Sequence, residues 1–207
     1  MMSLSELCAS AYKKRDRIHA MDLANGDPLV NAPADPDLLF SLTEIAILIK
    51  PLMGIDSPRD DTGRILDVRP KGHWFEFEVA KRLGYHYPPG AGLFPDLRHQ
   101  ILEVKHHTGK SVTIDFGQHH PGSEDVIEAR WNEKVKARVC DIRYLIALAP
   151  PPDYKVSVIV LATGAEINSI FGVSPTKTIK YQLGISDAWR KAHTGQILVS
   201  GKVFSEE

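Results

Sequence analysis

Asp96, Glu103 and Lys105 are the residues whose types and spacing define a chemistry in this chain. They lie in the stretch Phe94-Pro95-Asp96-Leu97-Arg98-His99-Gln100-Ile101-Leu102-Glu103-Val104-Lys105-His106-His107. Side chains at i and i+2 of a strand share a face, so Glu103 and Lys105 project together while Leu102 and Val104 enter a core. The segment Leu97-Arg98-His99-Gln100 offers a chain reversal that brings Asp96 beside Glu103. Two carboxylates held close together repel, and a divalent cation relieves that repulsion. A lysine beside the cation orients and helps deprotonate a water, or stabilises charge developing on a phosphate. The layout suits metal-dependent phosphodiester hydrolysis.

Neighbouring elements must hold these groups. Residues 71–84 read as a helix stopped by Gly84. Phe75, Val79 and Leu83 fall at i, i+4 and i+8 and form its buried stripe. Glu76 sits at the edge of that stripe and is the better site-facing acid. Glu78 lies on the charged face, placed for an ion pair with Arg82. Residues 101–106 read as the strand that carries Glu103 and Lys105, and 111–116 as a half-buried strand with Asp115 on its polar face. His107 shares the face of Glu103 and Lys105, and His106 points away.

These motifs resemble the PD-(D/E)xK nuclease superfamily, and within it the type II restriction endonucleases. Pro95-Asp96 matches the first half of the motif and Glu103-Val104-Lys105 the second. Gly72 to Ala80 is similar to the helix that carries a further acidic residue in that superfamily, and Ser111 to Gly117 to a strand that follows the motif. Pro-Asp occurs three times, but Pro36-Asp37 and Pro152-Asp153 lack the following strand with a carboxylate and a lysine. The resemblance implies catalytic roles for Asp96, Glu103, Lys105 and Glu76. It implies Mg2+ as cofactor, with Mn2+ substituting, held by Asp96, Glu103 and the Val104 carbonyl oxygen, with Glu76 as a further ligand. It also implies duplex DNA as substrate, cut at a short specific sequence, and a homodimer whose two-fold axis matches a palindrome.

The chain has 207 residues, enough for one well-buried domain. Its hydrophobic content of 43% and charged content of 25% are those of a globular protein. No apolar run approaches the roughly 20 residues that span a bilayer. The N-terminus lacks the basic start and apolar stretch of a signal peptide, and Cys8 and Cys140 are far apart, so a reduced, cytoplasmic protein is expected. The net charge of −1 does not announce nucleic-acid binding. Two segments are locally basic: Arg130, Lys134, Lys136 and Arg138, then Lys177, Lys180, Arg190, Lys191 and His193. No GxxxxGK[ST] motif occurs, so no ATP site is expected. His106-His107 and His119-His120 invite a zinc reading, but adjacent strand residues face opposite ways and no cysteine lies near.

Along the chain, residues 3–22 and 38–50 read as helices, the second strongly apolar through Leu39, Leu42, Ile45, Ala46 and Ile49. Residues 124–139 read as a helix, 143–149 and 156–162 as buried strands, 164–171 as a short helix and 197–203 as a final strand. The expected fold is α/β, a mixed central β-sheet flanked by helices around a restriction-endonuclease-like core. A single nuclease domain spans 1–207: a mainly helical N-terminal layer over 1–70, a catalytic core over 71–171, and a C-terminal segment over 172–207 as a candidate DNA-contacting region. Other functions compatible with the residues are a repair or recombination nuclease of the same superfamily, a DNA-binding protein without activity, and an unrelated binding module.

Overall fold

Two nearly unbroken apolar runs set the centre of the molecule. They form strands β3 (Arg143–Leu148) and β4 (Val158–Thr163), with every residue of β3 buried. A strand covered on both faces needs apolar side chains at successive positions rather than alternate ones. The computed structural model describes residues 40–85, 95–97, 100–114, 120–125, 138–173 and 181–205.

The elements that precede β3 are helix α1 (Leu42–Ile49), helix α2 (Val68–Arg82), and strands β1 (Leu102–His107) and β2 (Ser111–Ile114). After β4 come α3 (Gly164–Ile170), β5 (Gly172–Val173), β6 (Tyr181–Gly184), α4 (Asp187–Ala192), β7 (Gln196–Val199) and β8 (Lys202–Val203). A mixed five-stranded sheet has the order β1-β3-β4-β7-β8. β1 runs parallel to β3, with Glu103 beside Tyr144 and Lys105 beside Ile146, and β3 runs antiparallel to β4. β2, β6 and β5 form a separate antiparallel sheet.

The core divides along the two faces of the large sheet. On one face, Leu102, Val104, Leu145, Ala147, Ile159 and Leu161 pack with Ile45 and Ile49 of α1 and with Phe75 and Val79 of α2. On the other, Tyr144, Ile146, Leu148, Val158 and Val160 pack with Val112, Ile114 and Leu183 of the small sheet and with Ile167 of α3. Phe75 and Val79 are fully buried, and burial of each contributes about 2 kcal/mol. Among the described residues, no helix is long and apolar enough to cross a membrane.

Local chemistry sets the helix ends. Ser41 and Glu44 form a reciprocal capping box at the start of α1. α2 ends in a Schellman motif: Gly84 N–H donates to Lys81 O, Tyr85 N–H donates to Ala80 O, and Gly84 has φ +80°.

The architecture corrects several expectations. α2 begins at Val68, not 71, because Pro70 lies in the first turn, where no N–H donor is needed. The final strand is a hairpin, β7–β8, broken at Ser200 and Gly201, which both have positive φ. The strand from Ser111 leaves the large sheet for the small one, so the sheet expected as one is two. Glu124 and Asp125 are not helical, and Val139–Asp141 is a short 3-10 turn. The rest of the expected helix over 124–139, the helix over 3–22, and Asp115 lie outside the described residues.

Candidate active site

Asp96 meets the edge of β1 because the chain reverses between Leu97 and Leu102. Leu97 and Leu102 exchange backbone hydrogen bonds at 2.9 and 3.1 Å, and Gln100 N–H donates to Leu97 O at 3.0 Å. Ile101 closes the turn with φ +52°, a left-handed conformation that costs a β-branched residue of order 1–3 kcal/mol. The surroundings hold it there. Ile101 is fully buried, its carbonyl accepts from Arg143 N–H at 2.9 Å, and the Arg143 guanidinium donates to the Gln100 and Phe40 carbonyls. Strained backbone stored this way recurs at functional sites.

Two reciprocal bonds then lock Asp96 to the strand. Val104 N–H donates to Asp96 Oδ2 at 2.8 Å, and Asp96 N–H donates to Glu103 Oε2 at 3.1 Å. The N–H and C=O of one strand residue point to the same edge, so the Val104 carbonyl also faces the Asp96 side. Glu103 is 2% exposed, and its Oε1 lies 2.6 Å from Lys105 Nζ. A charge-assisted bond this short compensates part of the cost of burying both groups.

The electrostatics mark the cluster as acidic and dry. Burial pushes the Asp96 carboxyl up to about 9, with Glu103 and then Glu76 adding to the rise. Lys105 and the Val104 N–H pull against it. Glu76 thus acts on Asp96 across the gap between α2 and the edge of β1. Its own Oε2 accepts from His73 Nδ1 at 3.1 Å. Glu78 faces away and pairs with Lys81 at 3.9 Å rather than with Arg82. Three versus four residues is a small rotation on a helix, and both partners are neighbours of Glu78.

Asp96, Glu103, Lys105 and the Val104 backbone therefore sit together, with Glu76 in electrostatic reach. Among the described residues, no three His, Cys, Asp or Glu side chains are gathered tightly enough to hold a metal ion. The donor set, two or three carboxylates and a backbone carbonyl, is the hard oxygen type that suits Mg2+.

The described residues of the two locally basic segments are mostly engaged within the fold. Arg138 is engaged by Asp141 at 3.2 Å and Glu124 at 3.6 Å. Arg190 pairs with Asp187 and donates to the Gly109 carbonyl. Both act within the fold. Lys191 is exposed. Arg130, Lys134, Lys136, Lys177 and Lys180 lie outside the described residues.

Three residues near the site were not singled out from the sequence. Gln100 lies in the expected chain reversal, but nothing in the sequence signals that Arg143 bonds to it and holds the turn. Lys71 is 6% exposed, and a signal existed, since it lies four residues before Phe75 on the buried stripe. No family model, no curated protein and no solved structure matches this chain.

Proposed function

We propose that this chain is a Mg2+-dependent endonuclease with a restriction-endonuclease-like core, of the type II restriction class, cutting duplex DNA at a short specific sequence. The observation that carries the reading is the convergence of Asp96, Glu103 and Lys105 on one strand edge. The buried Glu103 contacts both the Asp96 N–H and the Lys105 ammonium. Asp96, Glu103 and the Val104 carbonyl would hold the cation, with Glu76 as a further ligand, direct or through water. When bound, Mg2+ supplies Lewis-acid charge neutralisation and lowers the pKa of a water. As a ligand Asp96 would have to be deprotonated, against the rise that burial imposes on its carboxyl. Lys105 positions the attacking water and stabilises charge on the phosphate oxygens. Mn2+ has the same ligand preference and would substitute.

One chain carries one such centre. Cutting both strands in one encounter needs two, and a symmetric homodimer reads both halves of a palindrome with one set of side chains. The test is digestion of plasmid and phage DNA with Mg2+. Discrete fragments of reproducible size are expected, and EDTA abolishes them. Cleavage confined to nicks, flaps or ends would move the assignment to a repair nuclease, and intact DNA would refute it.

Glu76→Ala is expected to reduce the cleavage rate by about tenfold to a hundredfold, and Glu78→Ala by less than twofold. Glu76 acts on Asp96, whereas Glu78 pairs with the exposed Lys81. Equal effects in single-turnover assays would remove Glu76 from the site. Binding to duplex DNA is expected to weaken steeply between low and moderate salt despite the net charge of −1, because phosphate contacts release counterions. A flat response in fluorescence anisotropy would argue against a duplex partner.

A further inference from the structure

Among the described residues, Lys71 is a buried cation with no carboxylate in direct ion-pair contact. It is 6% exposed, and its ammonium donates to Thr108 Oγ1 at 3.3 Å. Burial lowers its proton affinity, and the exposed Asp67, four residues earlier on the chain, only partly offsets this. Buried charges are normally paired, because an unpaired one loses its hydration without return. A buried lysine without a carboxylate in contact is complementary to an anion that arrives from outside.

Two more donors stand at the same place. Thr108 Oγ1 accepts from Lys71, which leaves its own hydrogen available to donate. His107 Nδ1 accepts from Gly109 N–H at 3.1 Å, so the neutral ring carries its proton on Nε2 as a donor. The turn grips that ring: a Cβ at Gly109 would sit 3.3 Å from His107 Cε1. His107 and Thr108 are both half-buried, and Lys71 lies within electrostatic reach of the His107 ring. His107 lies two residues beyond Lys105 on the same face of β1, roughly 7 Å along the strand.

We propose that Lys71, Thr108 and His107 form a second anion site, which anchors a backbone phosphate adjacent to the one that is cut. The assignment of that phosphate to a nucleic-acid strand rests on the nuclease reading. The existence of the anion site does not. Lys71, Thr108 and His107 act as positioning residues. They fix the register of the strand so that the scissile phosphate falls between Asp96, Glu103 and Lys105.

The experiment uses the full chain without divalent metal, and variants Lys71→Met and Lys71→Arg. Inorganic phosphate is the first probe and a cognate or random duplex the second. Phosphate at millimolar levels is expected to raise the melting temperature of the parent and of Lys71→Arg, but not of Lys71→Met. Lys71→Met is itself expected to melt no lower than the parent, since it removes a buried unpaired charge. Duplex affinity of Lys71→Met should fall, with the slope of log affinity against log salt reduced by about 1. In cleavage assays, Lys71→Met should raise KM more than it lowers kcat.

Absence of phosphate stabilisation in the folded parent would overturn the anion site, whether or not the protein cuts DNA. Phosphate stabilisation with an unchanged salt slope would overturn the backbone-phosphate assignment and leave a free-anion pocket. Phosphate stabilisation in a protein that never cleaves DNA would refute the nuclease reading while the anion site stood. If Lys71→Met does not fold, Thr108→Val replaces it, with the same loss of phosphate response expected.

Discussion

Glu103→Gln and Lys105→Met are each expected to lower the single-turnover rate of duplex cleavage by about a thousandfold or more. Glutamine keeps the shape of Glu103 and an oxygen for the Asp96 N–H, so the turn between Leu97 and Leu102 survives. What it removes is the negative charge that faces Lys105 at 2.6 Å and that would hold the cation. Lys105→Met removes the group that positions water and phosphate. It also takes the Lys105 ammonium away from a carboxylate whose side chain is 3% exposed, so it should cost stability, about 3 kcal/mol for a pair this buried. The double variant, Glu103→Gln with Lys105→Met, removes both charges at once and should recover much of that stability without recovering any cleavage. Near-parental cleavage by either folded single variant would take that residue out of the mechanism.

Asp96→Asn is expected to make the protein more stable and inactive. The folded chain holds the Asp96 proton up to about 9, whereas an unfolded chain releases it near 3.8. Between those values unfolding releases a proton, so raising the pH favours unfolding through this group. The stability that Asp96 contributes is therefore full below about pH 4 and is lost progressively as pH rises through about 9. Asparagine has no proton to lose and still accepts from Val104 N–H. At pH 8, Asp96→Asn should melt on the order of 5 °C above the parent, with the gap closing toward pH 4. Burial lowers the pKa of His106 and His107, which strengthens the fold as pH rises toward their ordinary range. That contribution is common to both proteins and drops out of the difference. A gap that does not change with pH, measured by calorimetry, would show that Asp96 is not held in a desolvated acidic cluster.

The parts of this structure that were legible in the sequence follow from periodicity. The alternation around Glu103 and Lys105 puts both side chains on one face, as their ion pair shows. The apolar runs of β3 and β4 read as strands buried on both sides, and they are. The stripe of Phe75, Val79 and Leu83 marks the buried face of α2. What was not legible depends on tertiary contacts. The separation of β2 from the large sheet is invisible to local pattern, because β2 alternates as any half-buried strand does. The split of residues 197–203 into a hairpin turns on Ser200 and Gly201 adopting positive φ. The Ser200-Gly201 dipeptide is the local turn signal for that split, and the apolar run on either side masks it. The turn that presents Asp96 rests on Arg143, more than forty residues away, bonding to Gln100. No local rule connects those two positions. Lys71 was legible in principle, as a charge on an apolar stripe, and such conflicts between pattern and residue mark functional places.

The most direct test of the acidic centre is calorimetric titration of Mg2+ or Mn2+ into the protein at pH 7.5, repeated in buffers of different ionisation enthalpy. A cation that binds between Asp96 and Glu103 must displace the proton that burial and the neighbouring carboxylates keep on Asp96. Binding should therefore release close to one proton, and both the binding and the release should disappear in Asp96→Asn and Glu103→Gln. Failure of the parent protein to bind either cation at millimolar concentration, or binding that persists unchanged in those variants, would contradict the account.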